Sequence, residues 1–397
     1  MVEPAVVAVT IVAAIASLFM AWSIGAGSSG STPFAPAVGA NAISVMRAGF
    51  VVGLLCFAGA VLQGQNVSET MGRDLIGGVT LSPEGAAIAL LTAAALVMIG
   101  VFTGYPIATA FTTTGAVIGA GLALGGTPAW GQYQQIAALW ILTPFVGGGI
   151  AYVTAVTIRR EDVPDRLAIP VLAGVVGVLL ANVEFAVLGP EGEDASIAES
   201  VSAWADLGFG IDPVGPATTL LIAAVAALVV GRDMRGSVER GERRFLLALG
   251  ALVAFSAGGS QVGLAIGPLL PVLDPFSIPV LAVLFGGGVG LLIGAWTGAP
   301  RMIKAIAQDY SSLGPRRSIA ALIPSFAIAQ TAILFGIPVS FNQIIVSAVV
   351  GAGAAASAGG AGVSRRKIGF TLLAWVGSLA IALALGYGLV TGVGTFV

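Results

Sequence analysis

The chain has 397 residues, of which 57% are hydrophobic and only 9% charged, with a formal net charge of −2. Apolar runs of about 20 residues recur from end to end, which excludes a water-soluble domain and a nucleic-acid binder and describes an integral membrane protein. Histidine is absent and Cys56 is the single cysteine, so an intrachain disulfide, an imidazole proton relay and a histidine-based metal centre are excluded.

Taken in chain order, the apolar runs lie at 4–25, 44–62, 85–103, 106–124, 134–156, 168–188, 214–231, 245–270, 277–297, 319–335, 338–361 and 368–390. They predict an all-α polytopic membrane protein with about twelve membrane segments. The N-terminal MVEP lacks the basic leader of a cleavable signal peptide, so the first run is expected to be a retained helix. That run dissolves into AGSSGST at 26–32. Gly27 and Gly30 weaken a helix there, and the hydroxyls of Ser28, Ser29, Ser31 and Thr32 would be wasted against lipid. A break of this kind is tolerated at membrane depth only where it is buried in protein or lines a polar cavity. Arg47 follows and reads as an interfacial anchor. Cys56, inside the next run, reads as a small buried hydrophobe. NVSET at 66–70 contains a formal glycosylation sequon, a three-residue match that chance supplies.

GYP at 104–106 joins two apolar runs through an uncharged connection of a few residues, and GIP at 336–338 does the same. The reading is a re-entrant hairpin at each, with its tip inside the membrane and proline opening a half-helix whose N–H groups face the tip. Ordinary tight helix–helix turns packed on small residues are the competing reading. Of the flanking polar groups, Thr109, Ser340, Asn342 and Gln343 would face the cavity, while Thr112, Thr113 and Thr114 are expected to pack or to bond their own helix turn. Glu184 reads as an interfacial charge.

One orientation satisfies the positive-inside rule almost completely. With the N-terminus outside, Arg159, Arg160, Arg166, Arg232, Arg235, Arg240, Arg243, Arg244, Arg301, Lys304, Arg316, Arg317, Arg365, Arg366 and Lys367 all fall inside. The 66–70 stretch and the 191–212 connection, which starts with the acidic EGEDASIAES, fall outside, and the C-terminus is outside as well. That acidic run, with Lys304 and Lys367 as the only lysines, suits a salty exterior. GYPIATAFTTTGAVIGAGLA and GIPVSFNQIIVSAVVGAGAA repeat at an offset of about 232, and WSIGAGSS at Trp22 is echoed by FSAGGSQVGLAIGP at Phe255. The copies are separated by an odd number of crossings, which predicts two inverted repeats with broken helices, at 1–156 and 245–397, joined by connecting helices and loops over 157–244.

These stretches carry a resemblance to the inorganic phosphate transporter family of sodium- or proton-coupled phosphate permeases, whose two halves each hold a Gly-Ala-Asn-Asp signature and a Gly-Leu-Pro-Val-Ser-Thr-Thr-His stretch. FSAGGSQVGLAIGPLL at 255–270 resembles the second signature and GIPVSFNQIIVSAVVGAG the second Pro-Val-Ser stretch. SSGSTPFAPAVGA, GYPIATAFTTTGAVIGAG and NVSET occupy the corresponding places in the first half. The chain departs from the family where it matters. The Asn-Asp pair is replaced by Ser260 and Gln261 in the second copy and by Ser28 and Ser29, or Gly27 and Ser28, in the first; the histidine is replaced by Phe111 and Gln343.

The resemblance implies a secondary active transporter, not an enzyme, that imports inorganic phosphate by alternating access with a cation, sodium first. The expected substrate site is Ser28, Ser29, Ser31, Thr32, Thr109, Ser260, Gln261, Ser340, Asn342 and Gln343, with sodium expected at Ser28, Ser29, Ser260 and Gln261. No cofactor is expected besides the coupling ion. The partners expected are the anion, the lipid of the cell membrane and a second copy in a homodimer. Sulfate or another oxyanion, proton coupling, and a membrane anion sensor are the alternatives.

Overall fold

The computed structural model describes residues 3–160, 162–190, 194–205, 213–309, 313–355 and 365–394. In order, the helices are α1 (Pro4–Gly27), α2 (Ala35–Gly39), α3 (Val45–Gln63), α4 (Gln65–Glu69), α5 (Pro83–Thr103), α6 (Thr109–Ala123), α7 (Trp130–Ile158), α8 (Asp165–Ala181) and α9 (Ile197–Trp204). There follow α10 (Val214–Gly236), α11 (Val238–Ile266), α12 (Leu270–Leu273), α13 (Val280–Thr297), α14 (Ala299–Asp309), α15 (Pro315–Leu334), α16 (Phe341–Ala354) and α17 (Arg365–Gly394). Two antiparallel pairs of two-residue strands, Ile76–Gly77 with Thr127–Pro128 and Glu184–Phe185 with Ala195–Ser196, tie loops together. Parts of the acidic connection, 191–193 and 206–212, lie outside the described residues.

Each of the twelve apolar runs contains a helix: α1, α3, α5 to α8, α10, α11, α13 and α15 to α17. Among the described residues, nine helices are long and apolar enough to cross a membrane, and α6 and α16 are shorter apolar helices. The 15 residues of α6 reach about 22 Å at 1.5 Å each, short of the roughly 30 Å hydrocarbon core. Each short helix is the returning leg of a hairpin. The α5 helix ends on Gly104 at φ +75°, the backbone runs without helix over 105–108, and α6 packs back along α5. The α15 helix ends before Gly336 at φ +62°, and α16 returns along α15 in the same way. Only glycine takes this left-handed backbone without strain, so the Gly-x-Pro pattern makes both turns.

Two local expectations need correction. Pro106 and Pro338 do not open the half-helices: the helices begin three residues later, at Thr109 and Phe341, after extended Ala108 (ψ 100°) and Ser340 (ψ 119°). The proline instead holds the approach extended, leaving carbonyls in the tip unbonded by any helix. Nor are the two signature segments broken alike. The first helix stops at Ser28 (φ −140°, ψ −86°), whereas α11 continues through Ser260 and Gln261 as far as Ile266. The first copy has Gly27, Gly30 and Pro33 within a few residues, while the second delays its proline to Pro268.

The two halves pack by the same plan. The α1 helix lies against α5 and α13, and α11 against α15 and α3; α6 lies against α17, and α16 against α7. The crossings are close because glycines sit at them. A Cβ on Gly25 would lie 2.2 Å from the Leu291 carbonyl oxygen, and one on Gly258 would lie 1.9 Å from that of Cys56. The α8–α10 pair sits at the edge of the bundle, with Leu220, Leu221, Leu228 and Val229 of α10 exposed as lipid-facing surface. Ion pairs are kept at helix ends: Arg73 bridges Glu69 and Asp274, and Arg316 bridges Asp165 and Glu242.

Candidate functional site

The end of α1, the start of α6, the middle of α11 and the start of α16 converge, and all ten residues expected from the sequence are there. None is more than 3% exposed. Gln261 is the hub. Its Oε1 accepts from Thr109 Oγ1 at 2.7 Å and from Ser28 Oγ at 3.2 Å, and its Nε2 donates to the Val339 carbonyl at 2.6 Å. One amide thus braces α1, α6 and the second hairpin tip against α11. The Ser28–Gln261 bond joins the two signature segments directly.

Asn342 is the counterpart brace. Its Nδ2 donates to the Ile107 carbonyl at 2.6 Å and to the Gly27 carbonyl at 3.0 Å, joining the first tip and the end of α1 to α16. Gln343 Nε2 donates to the Trp140 carbonyl at 2.7 Å. Ser31 and Thr32 turn their hydroxyls back onto the Ser28 carbonyl, both at 3.1 Å, and shape the loop after α1. Thr112 and Thr113 bond their own preceding turn, and Thr114 contacts Met71 sulfur, as their sequence context suggests. Arg47 is exposed, away from the buried site.

Five buried side-chain atoms on these segments have no hydrogen-bond partner: Ser29 Oγ, Ser260 Oγ, Ser340 Oγ, Asn342 Oδ1 and Gln343 Oε1. Leaving such atoms unsatisfied costs about 1–3 kcal/mol each, which argues for a ligand that satisfies them. Their chemistry is divided. The hydroxyls can donate or accept, whereas the two amide oxygens only accept, and their orientation is set because each amide nitrogen already faces backbone carbonyls. No charged side chain occurs in 85–158, 245–273 or 318–364, the segments that build most of the site.

Sequence reasoning missed two tryptophans. Trp140 Nε1 on α7 donates to the Pro338 carbonyl, and Trp375 Nε1 on α17 donates to the Pro106 carbonyl, both at 2.8 Å. Each half therefore holds the hairpin tip of the other. Phe111, in the place of the first family histidine, stacks on Trp140 with ring centroids 3.8 Å apart. The signal was available: the two tryptophans recur at nearly the offset of the hairpins. A further polar chain, Gln63 with Gln330 and Gln330 with Ser256, links α3, α15 and α11 beside the site.

A membrane-spanning bundle in which two interlocked hairpin tips enclose a buried, uncharged polar site defines the class of membrane transporters. Comparison with known proteins narrows this. The chain matches the phosphate transporter family over residues 24–386 and belongs to that family. It is 27% identical to a protein named as a candidate phosphate permease in Thermococcus kodakarensis, with 85% of this chain and 86% of that one covered. It is 24% identical to the chloroplastic inorganic phosphate transporter 2-1 of Arabidopsis thaliana, over 84% of this chain and 64% of the relative. A solved structure of the sodium-dependent phosphate transporter has the same fold, with a TM-score of 0.81 at 24% identity, covering 98% of this chain and all of that one.

Proposed function

We propose that this protein is a secondary active transporter that imports inorganic phosphate across the cell membrane by sodium symport. Family membership supports phosphate as the cargo. The observation that carries the site is the set of five unpartnered polar atoms on the segments that meet around the hairpin tips. Ser29, Ser260 and Ser340 supply donors for phosphate oxygens, assisted by the positive ends of α6 and α16. Asn342 Oδ1 and Gln343 Oε1 supply acceptors that suit a cation or a protonated phosphate oxygen. Ser28 and Gln261 engage each other, so a sodium ion there shares Gln261 Oε1 with Thr109, and Ser29 and Ser260 offer the open ligands.

Moving a divalent anion into a negative interior costs about 2.3 kcal/mol per charge per 100 mV, so uptake needs a cation gradient. The two halves enter the membrane from opposite faces with both termini outside, and rocking of one against the other exposes the site alternately. The test is uptake of labelled phosphate and of labelled sulfate into proteoliposomes, with and without an imposed sodium gradient. Phosphate uptake that rises with the sodium gradient is expected. Sulfate uptake exceeding phosphate uptake, or phosphate uptake that follows a proton gradient and ignores sodium, overturns the reading.

A further inference from the structure

The middle of α7 is bare on the side that meets α16. Gly148 and Gly149 present no side chain, and a Cβ on Gly351 of α16 would lie 2.0 Å from the Gly148 carbonyl oxygen, so the two helices meet backbone to backbone. Between them and the first turns of α17 opens a groove of about 410 Å³, lined among others by Phe145, Val346, Val350, Ile368, Leu372 and Trp375. Phe145 and Leu372 are exposed, whereas Trp375 is buried and donates its indole N–H to the Pro106 carbonyl of the first hairpin tip.

The groove has a charged end. Arg159 lies three turns on from Gly148 along the same stripe of α7, about 16 Å away at 1.5 Å per residue. Its Nη1 donates to the Ala355 carbonyl, one turn beyond Gly351 at the end of α16, and the side chain is otherwise exposed. Arg317, at the start of α15, is within electrostatic reach of Arg159, and its buried Nη1 has no hydrogen-bond partner. The neighbouring Arg316 is held by Asp165 and Glu242, but among the described residues no acid pairs with Arg159 or Arg317. Two guanidiniums that repel each other, one with an orphaned donor, call for an anion, and their planar forks suit phosphate oxygens. Half of the roughly 30 Å hydrocarbon core is about 15 Å, so the span from the bare middle of α7 to Arg159 is one leaflet deep. An apolar groove of that depth offers nothing to a free anion and fits an acyl chain.

We propose that the groove between α7, α16 and α17 seats an anionic phospholipid, with an acyl chain along its apolar lining and the headgroup phosphate at Arg159 and Arg317. The chain packs on Trp375 and so backs the indole that holds the first hairpin tip, a link between lipid and hairpin that does not pass through the cargo site. The proposal is independent of the cargo and of the coupling ion, and binding alone reads it.

The experiment uses the full chain, stripped of lipid in detergent and titrated with dioleoyl phosphatidylglycerol, dioleoyl phosphatidylcholine or inorganic phosphate, with bound molecules counted by native mass spectrometry. Phosphatidylglycerol should be retained about tenfold more tightly than phosphatidylcholine. The double substitution Arg159→Gln and Arg317→Gln should remove that preference while leaving weak retention of both lipids. A Cβ on Gly149 meets nothing within 4 Å, so Gly149→Leu fills the groove without displacing protein and should lower the retention of both lipids in a still monodisperse protein. Equal retention of the two lipids by the original chain overturns the proposal, as does a phosphatidylglycerol preference that survives both sets of substitutions. Inorganic phosphate that displaces phosphatidylglycerol and binds the Gly149→Leu protein unchanged assigns the arginines to a free anion and overturns it too. A dimer that Gly149→Leu converts to a monomer, with lipid retention unchanged, puts a second copy in the groove instead of a lipid.

Discussion

Ser340 and Thr112 are both buried hydroxyls near the start of a short helix, yet they are bonded differently. Thr112 bonds the Ala108 carbonyl of its own turn at 2.9 Å, while Ser340 Oγ has no partner. Ser340→Ala should therefore raise the half-saturating phosphate concentration by roughly one to two decades, the equivalent of about 1.5–3 kcal/mol for a bond to a charged ligand. Thr112→Ala should leave it nearly unchanged. Equal effects in a binding titration would place the anion elsewhere. Outside the membrane segments, burial first, and then Glu199 and Asp194, raise the Glu184 carboxyl above the usual range. The folded state holds this proton more tightly than the unfolded one, so the penalty is absent below the unfolded value, grows as pH rises from there to the folded value, and is complete above it. Glu184→Gln should accordingly raise the melting temperature in detergent at pH 7 and have no effect at pH 3.5.

At the scale of elements, the hairpins are short helices held by their tips. Replacing Trp375 with Phe keeps an aromatic side chain but removes the donor to Pro106. Faster amide exchange over the first tip, 104–109, is expected, with a loss of about 0.5–1.5 kcal/mol in stability; unchanged exchange would show that packing alone holds the tip. The helix crossings depend on bare backbone. A Cβ on Gly59 would sit 1.8 Å from the Phe255 carbonyl oxygen, and nothing lies within 4 Å of one on Gly377. Gly59→Ala should abolish a monodisperse peak in detergent or lower the melting temperature sharply, whereas Gly377→Ala should do neither.

For the whole molecule, orientation is the property that charge assigns. With the N-terminus outside, Ala203→Cys in a Cys56→Ala background should react with an impermeant maleimide added externally, and Glu239→Cys should not. Both positions are exposed in the structure, so a failure to label reports sidedness. Reversed labelling would turn the positive-inside assignment over and, with it, the direction in which each hairpin enters.

The twelve helices and the turns of both hairpins were legible in the chain by itself, because bilayer thickness sets run length and because uncharged Gly-x-Pro links stand out against lipid. Local chemistry also told Thr112 and Thr113 apart from the residues of the tips. What the chain could not show is which polar atoms are already paired. Gln261 reads as a replacement ligand in sequence; that it is also a brace, with its oxygen held by Thr109 and Ser28 and its nitrogen by Val339, is visible only in the fold. The unsatisfied acceptors are on Asn342 and Gln343 instead. The grip of Trp140 and Trp375 on the opposite tips is likewise a contact between residues about 200 or more positions apart. Hydrogen-bond satisfaction is a property of the assembled interior, where each donor has a limited number of partners and the competition among them is decided only when the two halves are packed together.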